Sequence, residues 1–287
     1  MRRIAALAAL RPEDVVLEVG PGLGSLTLAL LQAGPAAVIA VIAVCALVHL
    51  ARAYVLTREQ DVDFLITFAF IPARYDDALA VQLGIPDGWP GDIWTFVTYA
   101  FIHADIMHLV VNTVWLLPFG AAVGRRFGSA RFLVFFAVTA AAGALAHLVT
   151  HPVGEEPVIG ASAAISGFMA ASTRFAFQRG GPLGLIRGGE EGDYHVPAAP
   201  LRRALRDMRI VVFLGTWFGL NILFGLGSIA IDGVEQQAVA WQAHIGGFLA
   251  GLFLFPLFDP VVPAPIPADH DGGHGGNGGE SPGPTLH

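Results

Sequence analysis

An all-α membrane protein, a bundle of six transmembrane helices, is the fold class this chain predicts. Three observations carry it: six long apolar runs, polar residues gathered near one end of three of them, and connections that alternate between arginine-rich and acidic. Composition agrees, since 54% of the 287 residues are hydrophobic, 14% are charged and mean hydropathy is +0.62. That is more apolar surface than a soluble domain of this length can bury. The formal charge of -7 is scattered, and all 16 basic residues are arginine, forming no stripe suited to nucleic acid. The expected surround is the lipid bilayer. A single cysteine, Cys45, excludes an intrachain disulfide.

Residues 1–34 stand apart from the rest. Val15-Val-Leu-Glu-Val-Gly-Pro-Gly-Leu-Gly24, followed by an apolar stretch over 25–32, reads as strand, glycine turn and helix, an arrangement that brings backbone N–H groups close to a nucleotide. It resembles the first motif of the S-adenosylmethionine-dependent methyltransferases that dimethylate ribosomal RNA adenines. The resemblance stops by residue 34, because the next stretch, 36–48, holds none of the acids a ribose would need. A lone strand, turn and helix closes no cofactor pocket. The segment is expected to be a non-functional fragment, and no cofactor is implied.

The first span is 36–54, an almost unbroken apolar run of the length a bilayer core takes, about 20 residues. Residues 57–94 carry Asp61, Asp63, Arg74, Asp76 and Asp77 and are expected to form a loop dipping partly into the interface. Five further spans follow at approximately 106–123, 130–149, 158–177, 210–231 and 239–258, so that 35–260 forms the membrane domain. The tail 261–287 is rich in Pro, Gly and His and is expected to be disordered; its His270 and His274 read as solvated side chains.

Charge orients the bundle. The second-to-third connection holds Arg125, Arg126 and Arg131, and the fourth-to-fifth holds Arg179, Arg187, Arg202, Arg203 and Arg206. The third-to-fourth connection has Glu155 and Glu156 without a base, and the fifth-to-sixth has Asp232 and Glu235 without one. Positive connections face the cytoplasm, which predicts a multi-pass protein of the cell membrane with both termini cytoplasmic. Arg58 and Arg74 in the first loop run against that scheme.

In this topology the second, fourth and sixth spans all begin at the outer face, and each carries polar residues near its start. They are His103, His108 and Asn112, then Ser162, then His244. Polar groups inside a membrane are costly, so their convergence at one depth points to a site. A serine hydroxyl needs a base to take its proton, and His244 suits that role. His108 and Asn112, four residues apart, share a helix face and could aim donors at one developing oxyanion, with N–H groups at the start of the Ser162 helix as further donors. No acid lies at the depth of His244, which suggests a Ser–His dyad with ring packing orienting the imidazole. His103 reads as a loop brace. His147 and His151 lie near the same face, but no His-Glu-x-x-His pair suggests zinc hydrolysis. Trp217 and Asn221 on the fifth span suit packing or gating.

From about 35 to 260 the chain resembles the rhomboid intramembrane serine proteases. Their second-helix pattern stands as His103-Ala-Asp-Ile-Met-His108-Leu-Val-Val-Asn112, and their sixth-helix pattern as Ala243-His244-Ile-Gly-Gly247-Phe-Leu-Ala-Gly251. The serine motif stands as Gly160-Ala-Ser162-Ala163, with alanine where the family has glycine, a methyl expected to narrow the pocket. The family's Trp-Arg pair in the first loop is not found. The resemblance implies an endopeptidase with Ser162 and His244 as its dyad, His108 and Asn112 as oxyanion donors, and His103, Gly160, Ala163, Gly247 and Gly251 as support. Transmembrane segments of other proteins would be its substrates, unwound at small or helix-breaking residues. The alternative is a catalytically inactive relative that binds transmembrane clients, with Ala163 as the residue in its favour.

Overall fold

A computed structural model describes residues 35–86, 88–182, 191–225 and 240–261. Segment 1–34 and the tail beyond 261, with His270 and His274, lie outside them. Helix α1 (Ala36–Tyr54) leads into a cap made of α2 (Arg58–Phe68), a 3-10 turn (Pro72–Tyr75), α3 (Asp77–Gln82) and α4 (Trp89–Thr98). The chain continues through α5 (Ile106–Phe127), α6 (Ser129–Thr150), α7 (Ser162–Ser172), the single turn α8 (Leu201–Ala204), α9 (Met208–Gly225) and α10 (Trp241–Phe258). Helices α1, α5, α6 and α10 are long and apolar enough to cross a bilayer, and α7 and α9 are shorter apolar helices. Among the described residues there is no strand, only an isolated bridge between Phe70 and Val158. The fold is an all-α membrane bundle.

Two features differ from the sequence reading. The 57–94 segment is largely helical, because Thr57 and Gln60 form a capping box that starts α2 and the Asp76 carboxylate accepts the Ala78 and Leu79 N–H groups to start α3. Arg74 is buried within it, donating to the Ile66 carbonyl and lying against Gly91. The fourth span is also shorter than 158–177. Gly160 sits at φ +115°, a conformation that cannot continue into a helix, so α7 starts only at Ser162.

Helix α7 is the centre of the bundle, and every residue in it after Ser162 is buried. Glycines on its neighbours make this possible. A Cβ at Gly247 would collide with the Ala163 carbonyl and one at Gly251 with the Gly167 carbonyl, so α10 meets α7 backbone to backbone. On α6, a Cβ at Gly143 would stand 2.5 Å from that of Ala163. Outward faces, such as Leu47 of α1, Val114 of α5 and Phe253 of α10, stay apolar and exposed, as a lipid-facing surface requires.

The end of the bundle away from Ser162 is tied by Arg126. Its guanidinium is fully buried and holds both carboxylate oxygens of Asp259 at 2.9 Å, with the carbonyls of Tyr194 and Val196 at 2.6 and 2.9 Å. Rings of Phe175 and Phe255 cover it at 4.6 and 5.5 Å. Arg126→Ala is expected to cost about 3–5 kcal/mol, since it leaves Asp259 unpaired. Replacing Gly247 by alanine should cost about 1–3 kcal/mol through overpacking. Gly219→Ala on α9, where nothing lies within 4 Å of the new methyl, should be neutral or slightly stabilising. Thermal unfolding of the three variants in one detergent checks all three expectations.

Candidate active site

The site begins with the reason Ser162 is free. Hydroxyls and amides inside apolar helices satisfy themselves on the carbonyl one turn back: Ser166 Oγ donates to the Ser162 carbonyl at 2.7 Å, and Thr139 Oγ1 to that of Phe135 at 2.7 Å. Ser162 is the first residue of α7 and has no helical carbonyl behind it; the Val158 carbonyl accepts the Phe70 N–H instead. Its Oγ is therefore available, and it lies 2.8 Å from His244 Nε2. Ser166, one turn deeper and buried, is occupied.

His244 is oriented by a residue whose role the sequence left open. The Asn221 amide nitrogen donates to the Trp217 carbonyl at 2.8 Å, which leaves Oδ1 as the atom facing His244 Nδ1, in hydrogen-bond contact. An amide oxygen can only accept, so Nδ1 carries the ring proton and Nε2 presents a lone pair to the Ser162 hydroxyl. The orientation expected from ring packing alone thus comes from a hydrogen bond. A lone amide within the apolar run of α9 was the available signal, but its partner is 23 residues away in sequence.

His108 approaches from α5. Asp105 caps that helix by accepting the His108 N–H at 2.8 Å, which places the imidazole on its first turn. The Ala104 N–H points at His108 Nδ1 across a long 3.4 Å, so the ring proton sits on Nε2. A methyl at Gly160 would stand 2.7 Å from that nitrogen and 3.8 Å from Ser162 Oγ. Glycine is needed there twice over, for its φ and for this closeness. The Gly160 N–H is itself taken by the Tyr99 carbonyl at 3.0 Å, holding the strand-like approach to Ser162 against the end of α4.

The remaining residues sort as follows. Asn112 is buried and gives one amide proton to the His108 carbonyl at 2.9 Å, leaving its second. His103, between α4 and α5, is completely buried with its ring edge-on to His108 at 5.1 Å. Burial, and then the neighbouring His108, push its imidazole down to about 3, so it stays neutral. The Ala163 methyl is 1% exposed and fills the space left by Gly143, so it does not narrow an open pocket as expected. Gly247 and Gly251 are the contacts that draw α10 onto α7. His147 and His151 stack on each other at 4.8 Å at the end of α6.

Known proteins share this arrangement of sequence. The family model described as Rhomboid domain matches residues 90–259. Rhomboid protease GluP of Bacillus subtilis (strain 168) is 38% identical over 163 residues, 57% of this chain and 25% of that protein. Rhomboid protease GlpG of Enterobacter sp. (strain 638) is 26% identical over 191 residues, 66% of this chain and 57% of that protein. The chain spans only part of the length of either relative. Near its start, Ribosomal RNA small subunit methyltransferase A of Kineococcus radiotolerans is 76% identical over 33 residues, 12% of this chain and 11% of that protein. The family match runs from the cap through the last helix and includes every side chain gathered around Ser162, and on that ground the chain belongs to the Rhomboid family.

Proposed function

We propose that this protein is an intramembrane serine endopeptidase that cleaves transmembrane segments of other membrane proteins. The observation that carries the reading is the relay Ser162 Oγ, His244 Nε2, His244 Nδ1 and Asn221 Oδ1, in which each ring nitrogen has one partner and one tautomer. His244 Nε2 takes the Ser162 proton as Oγ bonds to the scissile carbonyl carbon. The carbonyl oxygen becomes an oxyanion and receives the His108 Nε2–H, the second amide proton of Asn112 and N–H groups of the first turn of α7, which lack helical partners. His244 then hands its proton to the leaving amine as the peptide bond breaks. Water, deprotonated by the same nitrogen, hydrolyses the acyl-enzyme and restores Ser162.

Two further points belong to this reading. The substrate backbone must be exposed to reach Ser162, which favours segments whose small or helix-breaking residues unwind readily. The Ser162 end faces outward and both termini face the cytoplasm, in the cell membrane. Burial of Arg74 inside the cap supports that orientation, since a side chain buried in protein does not weigh as a free loop charge. Residues 1–34 take no part in the chemistry.

The test is cleavage of a panel of single transmembrane substrates by the full chain reconstituted in liposomes. Ser162→Ala and His244→Ala should each lower turnover by at least about a thousandfold, whereas Ser166→Ala should retain activity. Retained cleavage by Ser162→Ala would refute the assignment, and binding of the panel without cleavage by the wild type would favour the client-binding alternative. Asn221→Ala should lower kcat by about ten- to a hundredfold with KM nearly unchanged, because it frees the ring tautomer without touching the substrate. Steady-state kinetics on one cleaved substrate checks this.

A further inference from the structure

Arg52 is an unusual residue for the last turn of an apolar spanning helix, and the first span otherwise carries no charge. Its side chain is 10% exposed, and each of its three nitrogens makes a hydrogen bond. Nε and Nη2 hold the Asp61 carboxylate of α2 at 2.6 and 3.1 Å, a two-pronged grip that fixes the guanidinium plane. The remaining arm, Nη1, donates to the His103 carbonyl at 2.9 Å.

That carbonyl belongs to the peptide unit whose other end is the Ala104 N–H, the group that points at His108 Nδ1. Arg52 and His108 therefore hold opposite sides of one rigid peptide plane. Donation from a cation to the carbonyl polarises the unit and makes its N–H a better donor. A neutral imidazole has a single N–H, so a donor held against Nδ1 obliges the proton to sit on Nε2. Nε2 is the nitrogen beside Gly160 and Ser162.

We propose that Arg52 is a positioning residue: clamped by Asp61, it holds the His103–Ala104 peptide so that His108 keeps its proton on Nε2, aimed at the oxyanion. The inference rests on the endopeptidase reading, in which His108 is a donor. It adds the last turn of α1 and the first turn of α2 to the machinery.

A double-substitution cycle on the full chain in liposomes tests it, using a cleaved transmembrane substrate and, separately, the ring nitrogens of His108 by 15N NMR. Assignment comes from the signal lost in His108→Ala. Arg52→Gln should lower kcat about tenfold with KM within about twofold, and Arg52→Lys should recover part of the loss. In the His108→Ala background the same Arg52→Gln change should cost less than about twofold. The NMR signal should show Nε2 protonated in the wild type and a mixture of tautomers in Arg52→Gln. Asp61→Asn, which loosens the clamp while keeping its shape, should move both readouts the same way and serves if Arg52→Gln fails to fold. An equal loss in both backgrounds, or an unchanged His108 tautomer, would overturn the proposal. A wild type that cuts nothing yet shows an Arg52-dependent tautomer would sink the protease reading and leave the link from Arg52 to His108 standing.

Discussion

The backbone contact between α7 and α10 is the constraint on which the rest depends. Lipid offers no hydrophobic driving force between apolar helices, so they associate by close packing, and only residues without side chains allow two helices to touch at the main chain. Gly247 and Gly251 provide that contact on one side of α7, and Gly143 admits the Ala163 methyl on the other. His244 lies one turn before Gly247 on the same helix, so the approach that packs the bundle also sets the 2.8 Å between His244 Nε2 and Ser162 Oγ. Packing and chemistry are one geometry here, and a substitution that loosens the first would lengthen the second.

A second rule follows from the scarcity of water among apolar helices. Ser166, Thr139, Asn112 and Asn221 each spend a donor on a carbonyl of their own helix. The site is made of what that rule leaves over. Ser162 is left over because it begins its helix, Asn221 Oδ1 because an amide has an acceptor as well as a donor, and His108 Nε2–H because its other nitrogen is occupied by the Ala104 N–H. Distinguishing Ser162 from Ser166 is thus a matter of helix position rather than of residue type.

Much of this was legible from the chain. The first span, 36–54, coincides with α1, and three short motifs named the residues gathered around Ser162. Patterns of four or five residues survive folding because one helical turn keeps them on one face. Partnerships across helices do not show in such patterns. Asn221 reads as an ordinary polar residue until α9 and α10 are laid side by side, and Arg126 reads as one of several loop arginines until Asp259, 133 residues later, is found beside it. The cap reads as a loop in the sequence because its helices are short and carry acids, and hydropathy detects only runs long enough to span. The sequence overstates the length of α7 for the opposite reason: the apolar run continues past both ends of the helix, and only the positive φ of Gly160 marks its beginning.

The central claim is that Ser162 is an activated nucleophile. Its most direct test is mass spectrometry of the purified, folded chain after treatment with a fluorophosphonate, with the adduct mapped to a residue. The account predicts a single adduct on Ser162, formed by the wild type and absent from His244→Ala. An unmodified wild type, or an adduct on Ser166 with Ser162 untouched, would contradict it.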